Sequence, residues 1–278
     1  MSEQERTTAD RTEVDAVQVT ADTYLVRAHH RDPWSIDAEA PWIPVGLLLI
    51  RGEQPVIVDT GAPADRDGLL AELDRLIDLG AVRWIVLSHE DVDHAGNVEA
   101  LLARCPAAEL VTTWTTAQQL ALAGTRLPHD RMRWVADGDA IDAGDRVIVA
   151  QTPPLYDSGT TIGLFDTTSG VYWAADCFAT RVDRPGRLLE EMDPQAWRDG
   201  FIAVHQRATP WVGGVSLRRW ERCVDELRQR ELVAIVSAHG PVIRSGHVAA
   251  ALDLLQELPE LAMVAPRVGA PRCLDARR

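Results

Sequence analysis

The feature that most restricts this chain is a set of short apolar runs that stop abruptly at residues able to bind a metal ion. The run at 84–87 leads directly into Ser88-His89-Glu90-Asp91-Val92-Asp93-His94, which places two histidines and three carboxylates within six residues. A run at 146–152 is followed by Pro153, Pro154 and then Asp157; one at 171–174 by Asp176; and one at 233–237 by His239. Apolar runs of this length read as buried strands. A strand end with its following turn is a rigid place from which to present a ligand. Acidic loops are common, and two neighbouring histidines are often merely solvated. The recurrence of such residues at three later strand ends points instead to one metal site assembled from distant parts of the chain.

The remaining pattern supplies a frame. Weak alternation at 24–28, the apolar run 45–51 and Val56–Val58 predict strands, the last ending in Asp59-Thr60-Gly61, where the glycine marks a tight turn. Leucine spacing over 69–79 predicts a helix stopped by Gly80. Further helices are expected from Ala95 or Asn97 to Ala103 and over 115–123, 194–208, 216–230 and 246–257. Strands are expected at 109–113 and, split by turn signals, within 132–173. Residues 1–13 and 265–278 lack periodicity and read as disordered tails around one domain, 14–264. Strands and helices in both halves predict an α/β (α+β) domain of two β layers covered by helices.

Composition narrows the chemistry. All 28 basic residues are arginine, which removes Schiff-base and pyridoxal-phosphate catalysis and Walker-type phosphate loops, each of which needs a lysine amine. A chain 46% hydrophobic and 25% charged is globular in type, and its formal charge of −14 argues against broad nucleic-acid binding. Cys105, Cys177, Cys223 and Cys273 lie far apart with no C-x-x-C pair, so neither a disulfide framework nor a zinc ribbon is expected. The polar N-terminus carries no apolar stretch of signal-peptide length, and no segment approaches the ~20 apolar residues of a membrane span. The expectation is a cytoplasmic protein without membrane or nucleic-acid partners.

Val58-Asp59-Thr60-Gly61, Ser88-His89-Glu90-Asp91-Val92-Asp93-His94-Ala95-Gly96-Asn97, Ala175-Asp176 and Ser237-Ala238-His239-Gly240-Pro241 together resemble the metallo-β-lactamase superfamily. They occur in its order across most of residues 22–257. The resemblance implies a four-layer αββα sandwich with two metals at one edge of the facing sheets. Zinc hydrolases of the superfamily usually read H-x-H-x-D-H. Here Asp91 takes the place of the second histidine, so the segment looks like the H-x-E-x-D-H of the diiron-flavoprotein and oxygen-binding diiron branch, with Asp replacing Glu. Carried over, His89 and Asp91 would hold metal one, and Asp93, His94 and His239 metal two. Asp176 would bridge both and, with Asp93, form the catalytic pair. Asp59 would brace the ligand loop by hydrogen bonds, and Glu90 would point away.

The chain departs from the family at metal one, which normally has a further histidine after the strand ending near Thr152. Asp157 is the preferred replacement; Tyr156 would serve after a one-residue shift. Three histidines with four carboxylates make an oxygen-rich shell, which favours iron or manganese over zinc and suits a ferric state. The leading expectation is two irons that bind or reduce dioxygen or nitric oxide. The alternatives are a zinc hydrolase of an ester, thioester, lactone or phosphoester, and a metal-bound protein that binds a small ligand without catalysis. Diiron flavoproteins carry an FMN domain after the metal domain; no bound flavin is expected here, so either a separate donor supplies electrons or the protein is not a reductase. A homodimer is expected from the resemblance only. Trp34 and Trp42, in a Pro-rich loop, are candidates to wall the substrate pocket, as are Tyr156 and Trp211; His205 reads as a packed or pocket histidine. Trp84, Trp134 and Trp173 read as core, Cys177 as a small buried side chain, and His29-His30 as an exposed loop.

Overall fold

The computed structural model describes residues 14–31 and 41–264; both tails, Cys273 and the segment 32–40 with Trp34 lie outside the described residues. The first sheet runs in chain order: β1 (Val14–Gln18), β2 (Thr23–Arg31), β3 (Trp42–Ile50), β4 (Val56–Val58), β5 (Trp84–Val86), β6 (Glu109–Thr112) and β7 (Met132–Trp134). Pairing is antiparallel as far as β4 and parallel from there on. The second sheet contains β8 (Ala140–Asp142), β9 (Val147–Gln151), β10 (Gly163–Asp166), β11 (Val171–Trp173), β12 (Ala234–Val236) and β13 (Ile243–Arg244), in the order β13-β12-β11-β10-β9-β8.

Seven α-helices flank the sheets: α1 (Arg66–Leu76), α2 (Val92–Ala95), α3 (Val98–Arg104), α4 (Trp114–Leu122), α5 (Pro194–Ala208), α6 (Leu217–Arg228) and α7 (Ser245–Val264), among the described residues. The continuous apolar strands are explained by burial on both faces. Leu48, Ile50, Val58 and Val86 meet Ile148, Leu164, Trp173 and Val236 between the sheets. The alternate residues Leu47, Leu49, Ile57 and Ile85 pack outward on Leu69, Leu73 and Leu101 of α1 and α3. Across the second sheet, Tyr172 and Ile235 pack on Phe201, Trp220 and Leu255 of α5, α6 and α7. These three cores separate four layers, helix–sheet–sheet–helix, which is the αββα sandwich.

Several local expectations change. β1 and the two-residue β13 carried too little apolar pattern to be read, and α7 continues past 257 through Pro259. The helix expected from 95 or 97 to 103 is α3, capped at Asn97, and a short helix that was not expected, α2, precedes it across Gly96. His29 and His30 belong to β2, and His29 is buried because Asp15 of the paired strand stands 3.3 Å from its Nε2. Trp84 and Trp173 are core residues, as is Cys177, but Trp134 is half exposed on the edge strand β7. Among the described residues, no helix is long and apolar enough to cross a membrane.

Candidate metal centre

Three strand ends of the two sheets converge. β5 delivers Ser88 and His89, the turn into α2 delivers Asp91, Asp93 and His94, β11 ends just before Asp176, and β12 just before His239. Sharp turns are needed, and they occur in left-handed backbone. Among the described residues the non-glycine positions with positive φ are Asp59 (63°), Ala175 (47°) and Phe178 (68°), all beside these loops. Strain concentrated in this way is characteristic of functional sites. Gly96 is required for packing: a Cβ there would overlap the Val92 carbonyl oxygen and stand 2.5 Å from Cδ of Pro63.

Hydrogen bonds aim the imidazoles. Asp59 accepts from Ser88 N and Ser88 Oγ, both at 2.7 Å, and lies 2.9 Å from His94 Nδ1. Ser88 Oγ is 3.0 Å from His89 Nδ1, and the Pro44 carbonyl is 2.9 Å from His239 Nδ1. With each Nδ1 so engaged, the three Nε2 atoms are left free to act as ligands. Thr60 Oγ1 donates to the His94 carbonyl, and Asn97 Nδ2 donates to the carbonyls of Thr60, Gly61 and Ala62. Sequence reasoning assigned no role to Thr60, Ser88 or Asn97, although all three lay inside the quoted motifs. Glu90 turns away from the cluster and accepts from Ser158 Oγ at 3.0 Å and from Thr160 Oγ1, which fixes the loop carrying Asp157.

All seven expected donors come together. Asp176 Oδ1 lies 2.9 Å from His94 Nε2 and 3.1 Å from His239 Nε2, while its Oδ2 lies 3.4 Å from His89 Nε2. Asp93 is 3.4 Å from His239 Nε2, and Asp91 and Asp157 are each 3.8 Å from His89 Nε2. Metal-competent groupings follow: His89 with Asp91 and Asp157, Asp93 with His94 and His239, and His89 and His94 with Asp176 between them. The ring of Tyr156, the alternative to Asp157, packs against Trp211 with centroids 4.9 Å apart.

The electrostatics are those of a crowded site. Burial, Asp176 and Asp91 push the Asp157 carboxyl up to about 8. Burial opposes the Asp176 charge, yet His94 and His239 hold its carboxyl well below the usual range. Burial and neighbouring His94 pull His89 down, whereas Asp176 and Asp59 raise His94 against the effect of its own burial. His89 Nε2 and both Asp176 oxygens are buried without a contact of hydrogen-bond geometry among the described residues. Converging acceptors left in this state are costly unless a cation lies between them, so the donor set fits metal.

A pocket of about 320 Å³ adjoins Asp157, Asp176 and His239 and is walled in part by Tyr156 and His205. Burial pushes His205 down to about 3, so its imidazole is neutral. Trp211 stands behind Tyr156, donating from Nε1 to its carbonyl at 3.0 Å. Trp42 is not on this wall: its backbone pairs with Val182 and its ring lies 4.5 Å from the Arg31 guanidinium. Neighbouring Ile43 takes the place expected for it.

Comparison with known proteins agrees with this arrangement. The family model described as ODP family beta lactamase matches residues 45–240. The anaerobic nitric oxide reductase flavorubredoxin of Pectobacterium atrosepticum is 29% identical over 149 residues, covering 52% of this chain and 28% of that protein. The solved structure of rubredoxin oxygen:oxidoreductase from Desulfovibrio gigas matches with a TM-score of 0.77 at 16% identity, covering 88% of this chain and 62% of that one. The metal-soaked Flv1 flavodiiron core of Synechocystis sp. PCC6803 gives 0.72 at 16% identity, covering 90% and 61%. The chain thus spans less than a third of that curated relative and about three-fifths of the two solved chains. At these identities the structural likenesses establish the fold.

Proposed function

The chain belongs to the ODP family of beta lactamases, and from that premise we propose that it is a non-haem diiron protein that acts on dioxygen or nitric oxide. The observation that carries the reading is the pair of donor groups sharing Asp176, with a carboxylate, Asp91, where a zinc hydrolase presents histidine. The similar proteins whose names include a nitric oxide reductase, an oxygen:oxidoreductase and a flavodiiron core support the same choice. His89, Asp91 and Asp157 would hold one iron, Asp93, His94 and His239 the other, and Asp176 would lie between them.

Bound iron would supply open coordination positions and one-electron redox chemistry. The protein's own part is positioning. Asp59 and Ser88 keep His89 and His94 in the tautomer that leaves Nε2 free, and Pro44 does the same for His239. Glu90, through Ser158 and Thr160, holds the Asp157 loop against the cluster. Electrons would reach the site from a redox partner. Metal analysis with an optical spectrum tests the proposal: two irons per chain with an iron(III) charge-transfer band are expected, together with consumption of dioxygen or nitric oxide when a reductant is supplied. Stoichiometric zinc in a colourless protein would overturn it, as would full activity in Asp176→Ala.

A further inference from the structure

A second cavity opens on the metal edge, further along the first sheet from the donor cluster. β4 to β7 run parallel, so their C-terminal ends lie on one edge. Asp59 and His89 follow β4 and β5 there, Trp114 follows β6, and Trp134 closes β7. Trp114 and Trp134 line a cleft of about 480 Å³, within the range of roughly 300–1,000 Å³ usual for small-molecule sites. The 159–162 segment, which continues the loop carrying Asp157, forms part of its wall, and Tyr156 is shared between this cleft and the metal pocket.

Two large aromatic side chains are left open here. Trp114 is 59% exposed and Trp134 52%, so both indoles are reachable from solvent. Elsewhere the chain covers tryptophan with its own cations: the Arg31 guanidinium lies 4.5 Å from the Trp42 ring, and those of Arg83 and Arg133 lie 5.0 and 4.6 Å from the Trp84 ring. Neither Trp114 nor Trp134 has such a partner among the described residues. The groove along α6 presents Arg219 and Arg230, and the metal pocket Arg181 and Arg207, but no basic residue lines this cleft among the described residues. Its charged lining residues are Asp137 and Asp139. One oxygen of each accepts from a main-chain amide, that of Thr152 or of Ala136, which fixes both carboxylates in place. An aromatic face and a carboxylate both attract a cation and repel an anion. An uncharged molecule of the same shape gains the contact area without the charge.

We propose that this cleft binds a small alkylammonium ion, whose alkyl groups lie against Trp114 and Trp134 and whose charge is balanced by Asp137 and Asp139. The site lies outside the donor cluster and does not rest on the diiron reading. The test is calorimetric titration of the metal-loaded full chain with choline and with its uncharged analogue, in which carbon replaces the nitrogen. The quaternary nitrogen has no lone pair for a metal, and both molecules carry the same hydroxyl, so their difference isolates the charge. Choline is expected to bind saturably and about tenfold more tightly than the analogue, the combined effect of two exposed cation–π contacts. Added salt should narrow that difference. Trp114→Leu and Trp134→Leu should each weaken choline about threefold, and Asp137→Asn combined with Asp139→Asn should weaken choline while leaving the analogue unchanged. All four positions are exposed, and asparagine keeps an oxygen for the Thr152 or Ala136 amide, so metal content and melting temperature should stay at wild-type values. Absence of saturable choline binding to the unmodified protein would overturn the proposal. So would equal or tighter binding of the analogue, or a choline affinity unaltered by the tryptophan replacements or by the aspartate pair.

Discussion

Asp59 is a single buried carboxylate on which two imidazoles depend, one directly and one through Ser88. Replacing it with alanine leaves the Ser88 amide unpaired in the interior and takes an acceptor from Ser88 Oγ and from His94 Nδ1. Asp59→Ala is therefore expected to weaken metal binding by about 10–100-fold and to cost roughly 1–3 kcal/mol in folding stability for each orphaned group. Metal titration and urea unfolding measure the two losses separately; wild-type metal affinity in the variant would remove Asp59 from its bracing role. The neighbouring pair Tyr156 and Asp157 can be separated in the same way. Asp157→Ala should lose the metal on the His89 side, and Tyr156→Phe should retain both, as counted by elemental analysis. The residues around His89 were readable in sequence because they fall in one unbroken motif at a strand end. Asp157 was readable only as a preference, since no histidine marks the position and the choice depends on which way a loop turns. His205 was readable only as a packed or pocket histidine, because tertiary packing alone brings it beside Asp176 and His239.

Long apolar strands and leucine-spaced helices were legible because burial on two faces, or on one face, leaves a period in the sequence. β1 was not, since its five residues alternate only weakly and it is held by pairing with β2. The polar stretch Arg27–Arg31 was likewise misleading, because its charges are matched across that pair. Arg27 Nε donates to Asp15 at 2.9 Å, and His29 Nε2 lies 3.3 Å from the same oxygen. Burial raises the Asp15 carboxyl, but the bonds from His29 and Arg27 outweigh it and bring the group down to about 2, from an ordinary value of 3.8. A carboxylate depressed on folding adds stability above its unfolded value and loses it as the pH falls through the folded one. The contribution of Asp15 should thus be complete above about pH 4 and disappear toward pH 2, amounting to on the order of 1–2 kcal/mol after solvent screening. Urea unfolding of wild type and Asp15→Asn across pH 2–6 checks this: the difference should shrink on acidification, and a constant difference would show that the pairing carries no linkage.

Three apolar interfaces hold four layers together, yet the edge where the sheets' loops meet collects the carboxylates of Asp91, Asp93, Asp157 and Asp176 in a chain already at −14. Like charges at such an edge oppose compaction until cations offset them. Chelation should therefore lower the melting temperature. An ion bound at 100–1,000 times its dissociation constant contributes roughly 3–4 kcal/mol, and a fold of this size loses about 2–4 °C per kcal/mol, so a fall on the order of 10 °C is expected by calorimetry; an unchanged transition would mean that the edge is not loaded by metal. The contact between His239 and the Pro44 carbonyl also has a consequence in time. Ribosomes deliver Pro44 and the His89 segment early and His239 only near the end of the sandwich, so the second donor group cannot close during most of synthesis. A metal ion held by the second donor group would then enter only after the two halves of the sandwich have met.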